Sequence, residues 1–553
     1  MPGLIGFTKS SVNVQRPGDV ARAMRDSLVH RPYHCSDDLF EDPCICASRV
    51  HLDTVRDGPQ PCGAGGIFVW LDGEFYNQGE FDVRAPSDAA LLLEQYRTGM
   101  LVPFLKKVDG IYSAVIYDRN EKTVRIITDR YGLRYLYVSR TPSGCCWASE
   151  IKAFCLLPSR SLTIDRSAAA MFFSQGYLIG NRTWFPDIEL LAPGTMLTVK
   201  CDAGDVRTVQ YLDWLAITGS GKVNDVPELV RELGARFKRA VEVRCREGER
   251  ISLGLSGGLD SRAVFAAMPR RCEPIQAFSF GIRGSDDLRI ARKVTTVRPS
   301  NHSLFEISEE NWLRNRIDAV WWTDGQLSLL HMHGVEFGDA LRERFEVHQN
   351  GILSDSFQGA VYTTREGVEV PKLLDGDRRF VAMALVLAGQ CVISRMPFFD
   401  NALMELGMSI PLKYRWNSNI YHRMLLATFP EFYRDIPWQN TGLPISRKDP
   451  VSKMLGLSKR CFDKIMYTLP LRPAGLNYTN YPAWIRHAPA REFFTGLLTE
   501  KNALIFDFVD PSVIRRCLDR HLGGLNFAEQ IGRYATFELW LQRLNGLGRD
   551  VGA

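Results

Sequence analysis

Residues 251–262, with the sequence ISLGLSGGLDSR, constrain the fold more strongly than any other stretch of this chain. Apolar residues alternate up to Leu255 as they do in a β-strand, and residues 263–267 begin the apolar face of a helix. Residues 256–260 therefore form a turn that leads from a strand into a helix. Such a turn suits an anion, because the start of a helix presents free backbone N–H groups and the positive end of its dipole.

The side chains of this turn favour a nucleotide ligand. Gly257 and Gly258 have no side chain to block a phosphate, and Ser256 and Ser261 add hydroxyl donors. Asp260 offers the hard oxygen ligand that Mg²⁺ prefers when it bridges a polyphosphate. The alternative is a plain glycine turn, but a plain turn needs neither the aspartate nor the serines. We therefore interpret the turn as a nucleotide-binding loop.

The spacing excludes a Walker A loop, whose GxxxxGK[ST] pattern and lysine do not occur here. The order SGGxDS instead resembles the pyrophosphate loop of the ATP pyrophosphatases, which cleave ATP to AMP and PPi to activate a carboxylate or a similar oxygen. This resemblance implies ATP and Mg²⁺ as cofactors, and it places Leu255 and residues 256–261 at the nucleotide.

Length and composition indicate a large globular enzyme. At 553 residues the chain predicts two large domains or three modest ones. A net charge of +5 is small for this size and gives no case for a nucleic-acid partner. The longest apolar run, 381–393, is interrupted by Gly389 and Gln390 and is too short to span a bilayer. The start, MPGLIGFTKS, lacks the apolar core of a signal peptide.

The thirteen cysteines lack the spacing of a disulfide framework, which favours a reducing cytoplasm. His34, Cys35, Cys44 and Cys46 lie close enough in sequence to suggest zinc. The single residue between Cys44 and Cys46 is a shorter gap than zinc ligands usually have. We therefore favour buried thiols over a metal site at these positions.

Short apolar runs separated by turn residues make 65–211 rich in strands. One helix is predicted at 87–99, where Ser87 or Asp88 can cap the first turn. Three runs in this half, 71–77, 108–137 and 147–154, resemble in order the amino-terminal glutaminase domain of class B asparagine synthetases. The resemblance implies an Ntn-hydrolase-like αββα sandwich for a domain covering residues 1–215.

The sequence departs from that family at the position of the catalytic nucleophile. The family's mature domain begins with a cysteine in a CGI motif, and this chain has Pro2 before Gly3, Leu4 and Ile5. Proline has no thiol and cannot form a thioester. The family's glutamine-holding residues have counterparts in Arg49, Asn77 and Asp88. These three either form a relic pocket or serve as ordinary surface, turn and capping residues.

A linker at 216–225, AITGSGKVND, separates this half from a second domain covering residues 216–553. Helices are predicted at 226–247 and 287–297, and strands at 275–280 and 345–353. Their alternation predicts a parallel sheet with helices on both faces and ligands at the carboxyl ends of the strands. The carboxyl-terminal part is predicted to be helical, from the apolar stripe along 531–544.

Further segments of the second domain resemble the same synthetases. Residues 277–293, followed by His302, resemble the strand that holds adenine and ribose, which implicates Phe280 and Gly281. Residues 349–362 stand where the family has SGEGADELFGGY, and this implies that Asp355 is a second Mg²⁺ ligand facing Asp260. Ser356 replaces the usual glutamate there. The alternative role for Asp355 is a helix cap.

Two other stretches also suggest roles for particular residues. Residues 394–411 resemble the family's R.PF.D helix start, where we interpret Arg395 and Asp400 as a buried ion pair. Asp324 and Gly325 are candidates for the acceptor side of the site. The family lysine that neutralises the acyl-adenylate step aligns with Asn440, a neutral amide, so we expect Arg447 or Lys448 to substitute for it.

The resemblance therefore implies an α/β protein with an Ntn-hydrolase-like sandwich, a parallel-sheet ATP-pyrophosphatase domain (adenine nucleotide α-hydrolase-like) and a helical carboxyl-terminal part. The function it implies is an ATP-dependent amide-forming synthetase that adenylates a small-molecule or peptide carboxylate and transfers it to an amine or ammonia. Two branches without the cysteine, β-lactam synthetases and lasso-peptide cyclases, and a third that accompanies polysaccharide biosynthesis, remain open. The alternatives are an ammonia-dependent asparagine synthetase and a non-catalytic ATP-binding scaffold. A homodimer or a complex with a pathway enzyme is the expected assembly.

We expect no glutaminase activity, because Pro2 replaces the thiol nucleophile. Incubation of the unaltered protein with glutamine should release no glutamate above a blank without protein. A glutamine-hydrolysing asparagine synthetase run in parallel checks the assay. Robust glutamate release by this protein would contradict the prediction.

Overall fold

The computed structural model describes residues 2–547, apart from 13, 56, 83, 159–161, 202–204, 353–371, 448 and 469–477. The strands of the first domain are β1 (Leu4–Thr8), β2 (His34–Ser36), β3 (Phe40–Glu41), β4 (Ile45–Leu52), β5 (Cys62–Ala64), β6 (Ile67–Phe75), β7 (Gly110–Asp118), β8 (Thr123–Thr128), β9 (Tyr137–Thr141), β10 (Gly144–Ala148), β11 (Glu189–Leu190), β12 (Thr195–Lys200) and β13 (Val206–Gln210). The helices of this part are α1 (Pro17–Asp26), α2 (Asp88–Arg97), α3 (Leu101–Lys107), α4 (Arg166–Gln175) and α5 (Trp214–Ile217).

Two antiparallel sheets pack face to face in this domain, within the described residues. One has the order β11-β9-β10-β1-β4-β2 with β3 beside β4, and the other has the order β13-β12-β8-β7-β6-β5. Leu4 and Val115 belong to the core between the sheets, whereas Ile5 faces α1 and Ala114 faces α2 and α3. Because strand side chains alternate between faces, this pattern produces an αββα sandwich. The predicted architecture of the first domain is confirmed.

The second domain is built on a parallel sheet. Its strands are β14 (Ile251–Gly254), β15 (Ile275–Gly281), β16 (Ser300–Glu306), β17 (Val347–Gln349) and β18 (Ile393–Arg395), in the order β16-β15-β14-β17-β18. Every pairing in this sheet is parallel. Strand β14, which leads into the predicted nucleotide loop, is therefore the central strand.

Helices surround this sheet and make up the carboxyl-terminal part, as predicted. They are α6 (Val226–Glu242), α7 (Asp260–Ala267), α8 (Asp286–Thr295), α9 (Arg316–Trp322), α10 (Gly338–Arg344), α11 (Met383–Ala388), α12 (Asn401–Ser409), α13 (Leu412–Arg415), α14 (Asn419–Thr428), α15 (Pro430–Tyr433), α16 (Pro450–Thr468), α17 (Tyr481–Trp484), α18 (Ala490–Thr499), α19 (Pro511–Leu522) and α20 (Ala528–Asn545), with a π-helical segment at Lys372–Val381. None of the helices among the described residues is long and apolar enough to cross a bilayer.

Most local predictions are confirmed, and the errors concern element ends. Helix α2 begins after Ser87, whose hydroxyl accepts a hydrogen bond from the N–H of Ala90 at 3.2 Å. Helix α6 ends five residues earlier than predicted. Strand β17 is shorter than the predicted 345–353, and beyond it the N–H of Ile352 donates to the side-chain oxygen of Asn350 at 3.1 Å.

The four residues considered as a zinc set are not brought together. Strand β2 pairs His34 with Leu52, at the far end of β4 from Cys46, which pairs with Phe7 and Glu41. The Nε2 atom of His34 lies 2.9 Å from the carbonyl oxygen of Gln390. The interpretation as a buried thiol is confirmed for Cys46, but Cys35 is exposed and Cys44 is half-buried.

Buried ion pairs join the two domains, and they correct one prediction. Arg395 has no exposed surface and donates to both carboxylate oxygens of Glu74 at 2.7 and 2.8 Å, and also to Glu249. It does not pair with Asp400. Asp400 instead accepts from Arg244 at 3.2 Å, and Arg244 also donates to Asp109 of the first domain at 2.9 Å. The predicted Arg395–Asp400 pair is wrong, because each residue has a closer partner distant in sequence.

We expect Arg395→Leu to destabilise the domain interface by about 3–5 kcal/mol, because it leaves Glu74 and Glu249 without their buried cation. Burial alone would raise the pKa of Glu74, but Arg395 and Arg246 outweigh that effect and lower it from 4.5 to about 2. The stabilisation is therefore fully present above pH 4.5 and is lost as the pH falls towards 2. Urea unfolding followed by tryptophan fluorescence at several pH values measures both effects.

The control for this prediction is Arg515→Leu, which changes an exposed arginine on α19 by the same substitution. It should leave the unfolding midpoint within experimental error of the unaltered protein. Equal midpoints for the two variants would show that Arg395 contributes no interdomain stability.

Candidate nucleotide site

The loop that follows β14 is held by its own hydroxyl groups. The N–H of Ser256 donates to Oγ of Ser261 at 3.1 Å, and the two hydroxyl oxygens are 3.0 Å apart. The N–H of Gly258 donates to Oγ of Ser256 at 3.2 Å. The predicted strand, turn and helix are therefore present, and the serines fix the turn over the first residues of α7.

The two glycines of the loop have different surroundings. A Cβ added at Gly257 would lie 3.1–3.3 Å from Gln439, Asp287 and Ile290, so the backbone is closely packed there. A Cβ added at Gly258 would meet only the hydroxyl of Ser256, at 3.2 Å. Helix α7 begins without a side-chain cap. The space beside Gly258 and the free N–H groups at the start of α7 together can bind a phosphate group.

Arg262 ties the loop to the segment that follows α15. Its side chain has no exposed surface and donates to the carbonyl oxygens of Gly257 at 3.3 Å and Pro437 at 2.8 Å. The hydroxyl of Tyr433 donates to the carbonyl oxygen of Leu259 at 2.7 Å. Burial lowers the pKa of Arg262, but guanidinium groups remain charged in proteins. A fixed positive charge therefore lies beneath the loop. The motif gave no indication that Arg262 supplies it.

Asp287 and Gln439 also hold the loop in place at Gly257, and no sequence pattern indicated this pair. The N–H of Gly257 donates to Oδ1 of Asp287 at 2.9 Å, and the amide of Gln439 donates to the other oxygen of the same carboxylate. Burial raises the pKa of Asp287. Its position in the family-like segment 277–293 was the available signal. Gln439 adjoins Asn440, the residue aligned with the family lysine, and Asn440 itself is exposed.

Asp260 occupies the first turn of α7, where a carboxylate can meet a metal-bound phosphate. It is partly exposed, and one of its oxygens accepts a hydrogen bond from the hydroxyl of Tyr421 at 2.7 Å. A Cβ added at Gly351 would lie 2.6 Å from the backbone nitrogen of Ser261, so the chain after β17 runs against the start of α7. Asp355 lies outside the described residues. A metal shared with Asp260 therefore stays a prediction.

The residues predicted to hold adenine and ribose lie along the next strand. The side chain of Leu255 is buried, and its N–H donates to the carbonyl oxygen of Phe278 at 2.7 Å. Phe280 is half-buried against Tyr478, with ring centroids 6.1 Å apart. Gly281 has a φ of 150°, and an added Cβ would lie 2.8 Å from Cβ of Tyr478. Only a glycine fits there, because Tyr478 covers the end of β15.

Within the described residues, Arg447 makes no hydrogen bond or ion pair with the loop. Arg447 is exposed, and Lys448 lies outside the described residues. A third cation comes from α16. The Nζ of Lys459 lies 3.9 Å from Oδ2 of Asp286, next to the residue that supports Gly257. Sequence spacing gave no reason to consider Lys459, because α16 approaches Asp286 only in the folded chain.

Asp324 and Gly325 belong to the domain interface. Asp324 is buried and accepts from the N–H of Ile151 at 2.6 Å and from Nζ of Lys152 at 3.0 Å. A Cβ added at Gly325 would lie 2.7 Å from the ring of Trp540. The predicted role on the acceptor side is therefore wrong, because these residues contact the first domain and the carboxyl-terminal helix.

The counterparts of the glutamine-holding residues have mostly internal partners. Arg49 is buried and donates to Asp37 and Asp57, each at 2.7 Å, so its charge is already neutralised. The side-chain oxygen of Asn77 accepts from the backbone N–H of residue 109 at 2.8 Å. Burial raises the pKa of Asp88 to about 6. These contacts favour structural roles for Arg49 and Asn77 over recognition of an α-carboxylate.

Comparisons with known proteins match both halves of the chain. A sequence model of the glutamine amidotransferase domain matches residues 1–212, and a model of asparagine synthase matches residues 232–361. Asparagine synthetase [glutamine-hydrolyzing] 1 of Bacillus subtilis (strain 168) is 23% identical over 331 residues, which cover 56% of this chain and 50% of that protein. The human asparagine synthetase [glutamine-hydrolyzing] is 27% identical over 253 residues, covering 42% of this chain and 43% of that protein.

The chain is a member of the asparagine synthetase-like family. It spans about half the length of the curated relatives it matches. Among solved structures, an allosteric regulatory enzyme of purine biosynthesis aligns at 12% identity with a TM-score of 0.28, covering 55% of this chain and 80% of that one. A similarity at that level adds nothing to the assignment.

Proposed function

We propose that the protein is an ATP-dependent, AMP-forming carbon–nitrogen ligase that adenylates a carboxylate and passes the acyl group to a nitrogen nucleophile. The observation that supports this most directly is the loop from Ser256 to Asp260. It follows the central strand of a parallel sheet and ends at a helix start without a side-chain cap. Ligands of such sheets bind outside the carboxyl ends of the strands.

Different residues of the loop would bind different parts of the magnesium pyrophosphate. Backbone N–H groups at the start of α7 and the open face of Gly258 receive the phosphate oxygens, and the charge of Arg262 lies beneath them. Asp260, together with Asp355, would hold Mg²⁺. When bound, Mg²⁺ neutralises charge on the departing pyrophosphate. The contribution of the protein is positioning and fixed electrostatics rather than covalent chemistry.

The nitrogen nucleophile in this proposal is an amine or ammonia and not glutamine. The position of the thiol nucleophile carries Pro2, and Arg49 is neutralised by two aspartates. An amine within the carboxylate substrate would give a cyclic amide, and free ammonia with aspartate would give asparagine. Incubation with ATP and a cell extract, followed by mass spectrometry, distinguishes these products. The cysteine spacing supports a cytoplasmic location, and a homodimer or a complex with a pathway enzyme remains part of the proposal.

Asp260→Asn should reduce PPi release by about 10²–10³-fold, comparable to the loss of one group that stabilises transition-state charge. The fold should remain intact, because asparagine can still accept the hydrogen bond from Tyr421. ATP–PPi exchange measures the step directly. The matched control is Asp435→Asn, an exposed carboxylate of the same domain. Products of ADP and phosphate in the unaltered protein would refute cleavage between the α and β phosphates, and PPi release without an acylated product would favour the scaffold alternative.

Alanine variants of Arg447, Lys448 and Lys459 test which cation replaces the family lysine. We expect one of them to slow ATP–PPi exchange or product formation by at least about tenfold, which corresponds to about 1.4 kcal/mol of barrier. Lys501→Ala, at an exposed lysine remote in sequence, is the control. If none of the three variants differs from the control, no residue among them supplies that charge.

A further inference from the structure

A cavity lies between the two domains, away from the nucleotide loop. We refer to it as the interdomain cavity. It has a volume of about 310 Å³, within the range of small-molecule sites. The first domain contributes the walls around Asp57, Asp72 and Asp88, and the second contributes Glu346 and the first residues of β17 and β18. It therefore meets the amino edge of the parallel sheet, whereas the nucleotide loop lies at the carboxyl edge.

The lining of the interdomain cavity is acidic. Seven carboxylates and three guanidinium groups face it. One of the three guanidinium groups, Arg49, is already bound to Asp37 and Asp57 and to the carbonyl oxygen of Gly58. The cavity therefore lacks the positive charge that an anionic ligand, or the α-carboxylate of an amino acid, would require.

Several acceptor atoms of the lining have no hydrogen-bond partner within the described residues. Asp72 is 8% exposed, and its Oδ2 atom is buried without a hydrogen bond. The nearest cation, Nη1 of Arg134, is 3.6 Å away, beyond hydrogen-bonding distance. The Oδ1 atom of Asp57 and the hydroxyl of Thr54 are also buried without a partner. Burial raises the pKa of Asp72, as expected for a carboxylate without a close donor.

We propose that the interdomain cavity binds a small organic cation, a protonated primary amine or a guanidine, with Asp72 as its main partner. Such a cation brings N–H donors and no acceptor. The unsatisfied atoms of the cavity, two carboxylate oxygens and one hydroxyl, can all accept a hydrogen bond. Glu74 and Glu249 are already paired with Arg395, so the charge of the ligand offsets that of the remaining carboxylates. Because both domains line the cavity, the bound cation would contact groups on either side of the interface.

The test measures binding to the full-length protein by isothermal titration calorimetry and by the shift of the thermal unfolding midpoint. Three probes have four carbon atoms each and differ in the head group: butylamine, butan-1-ol and butyrate. The others are 1,4-diaminobutane, agmatine and glutamine. We expect saturable binding of one equivalent of an amine or guanidine and a raised midpoint. Butan-1-ol, butyrate and glutamine should not bind.

Asp72→Asn should weaken cation binding by at least about tenfold, because it removes the charge and keeps the shape. Asp82→Asn, at an exposed carboxylate outside the cavity lining, should bind as the unaltered protein does. If Asp72→Asn does not fold, Thr54→Val provides the second variant and should also weaken binding. The proposal is overturned if no cation saturates, if the alcohol or the butyrate binds equally well, or if the folded variant binds as before. Neither readout involves ATP turnover, so the outcome is independent of the proposed function.

Discussion

The buried arginines of the second domain are the constraint on which the two-domain structure depends. Arg244 and Arg395 have no exposed surface, and each of them donates to a carboxylate of the first domain, Asp109 and Glu74 respectively. A buried charge that loses its partner costs several kcal/mol. The first domain therefore supplies one carboxylate to each arginine, beside Asp400 and Glu249 of the second domain. These contacts give the first domain a structural role that does not depend on glutamine hydrolysis.

Arginine also organises the nucleotide loop, but with a different type of partner. Within the described residues, the side chain of Arg262 donates hydrogen bonds to carbonyl oxygens, including those of Gly257 and Pro437. The interface arginines bind carboxylates, which cancel their charge. Carbonyl groups hold Arg262 in place without removing its charge. The fold thereby places uncancelled positive charge beside the loop, where a polyphosphate would bind.

The sequence predicted the parts of the structure that local patterns determine. The strand, turn and helix around residues 251–267 are read from alternation and spacing, and Ser87 caps α2 as its position indicates. The ion-pair partners were not predictable in this way. Arg395 is 146 residues from Glu249 and 321 residues from Glu74, so no local pattern marks them as a group. The resemblance predicted the order of the elements. It did not predict which carboxylate forms an ion pair with each buried arginine.

The same limit applies to the site. Asp260 and the two glycines follow from the motif. Gln439 contacts the loop, and Lys459 lies near Asp286 beside it, only because later segments fold back onto this region. Asp324 was assigned to the acceptor side from its neighbourhood in sequence, and it contacts Lys152 of the first domain instead. A motif identifies the residues that precede and follow a strand end. It does not identify the residues that cover that strand end from elsewhere in the chain.

The two edges of the parallel sheet offer opposite electrostatic environments. Helices that connect parallel strands run back along the sheet, so their starts lie at the carboxyl edge and their ends lie at the amino edge. Helix α7 starts at the nucleotide loop, and helix α10 ends two residues before Glu346 in the interdomain cavity. Helix starts favour anions and helix ends favour cations within about one turn. Arg262 adds to the first preference and the excess of carboxylates adds to the second, so the proposed phosphate site and the proposed cation site lie at opposite edges of the sheet.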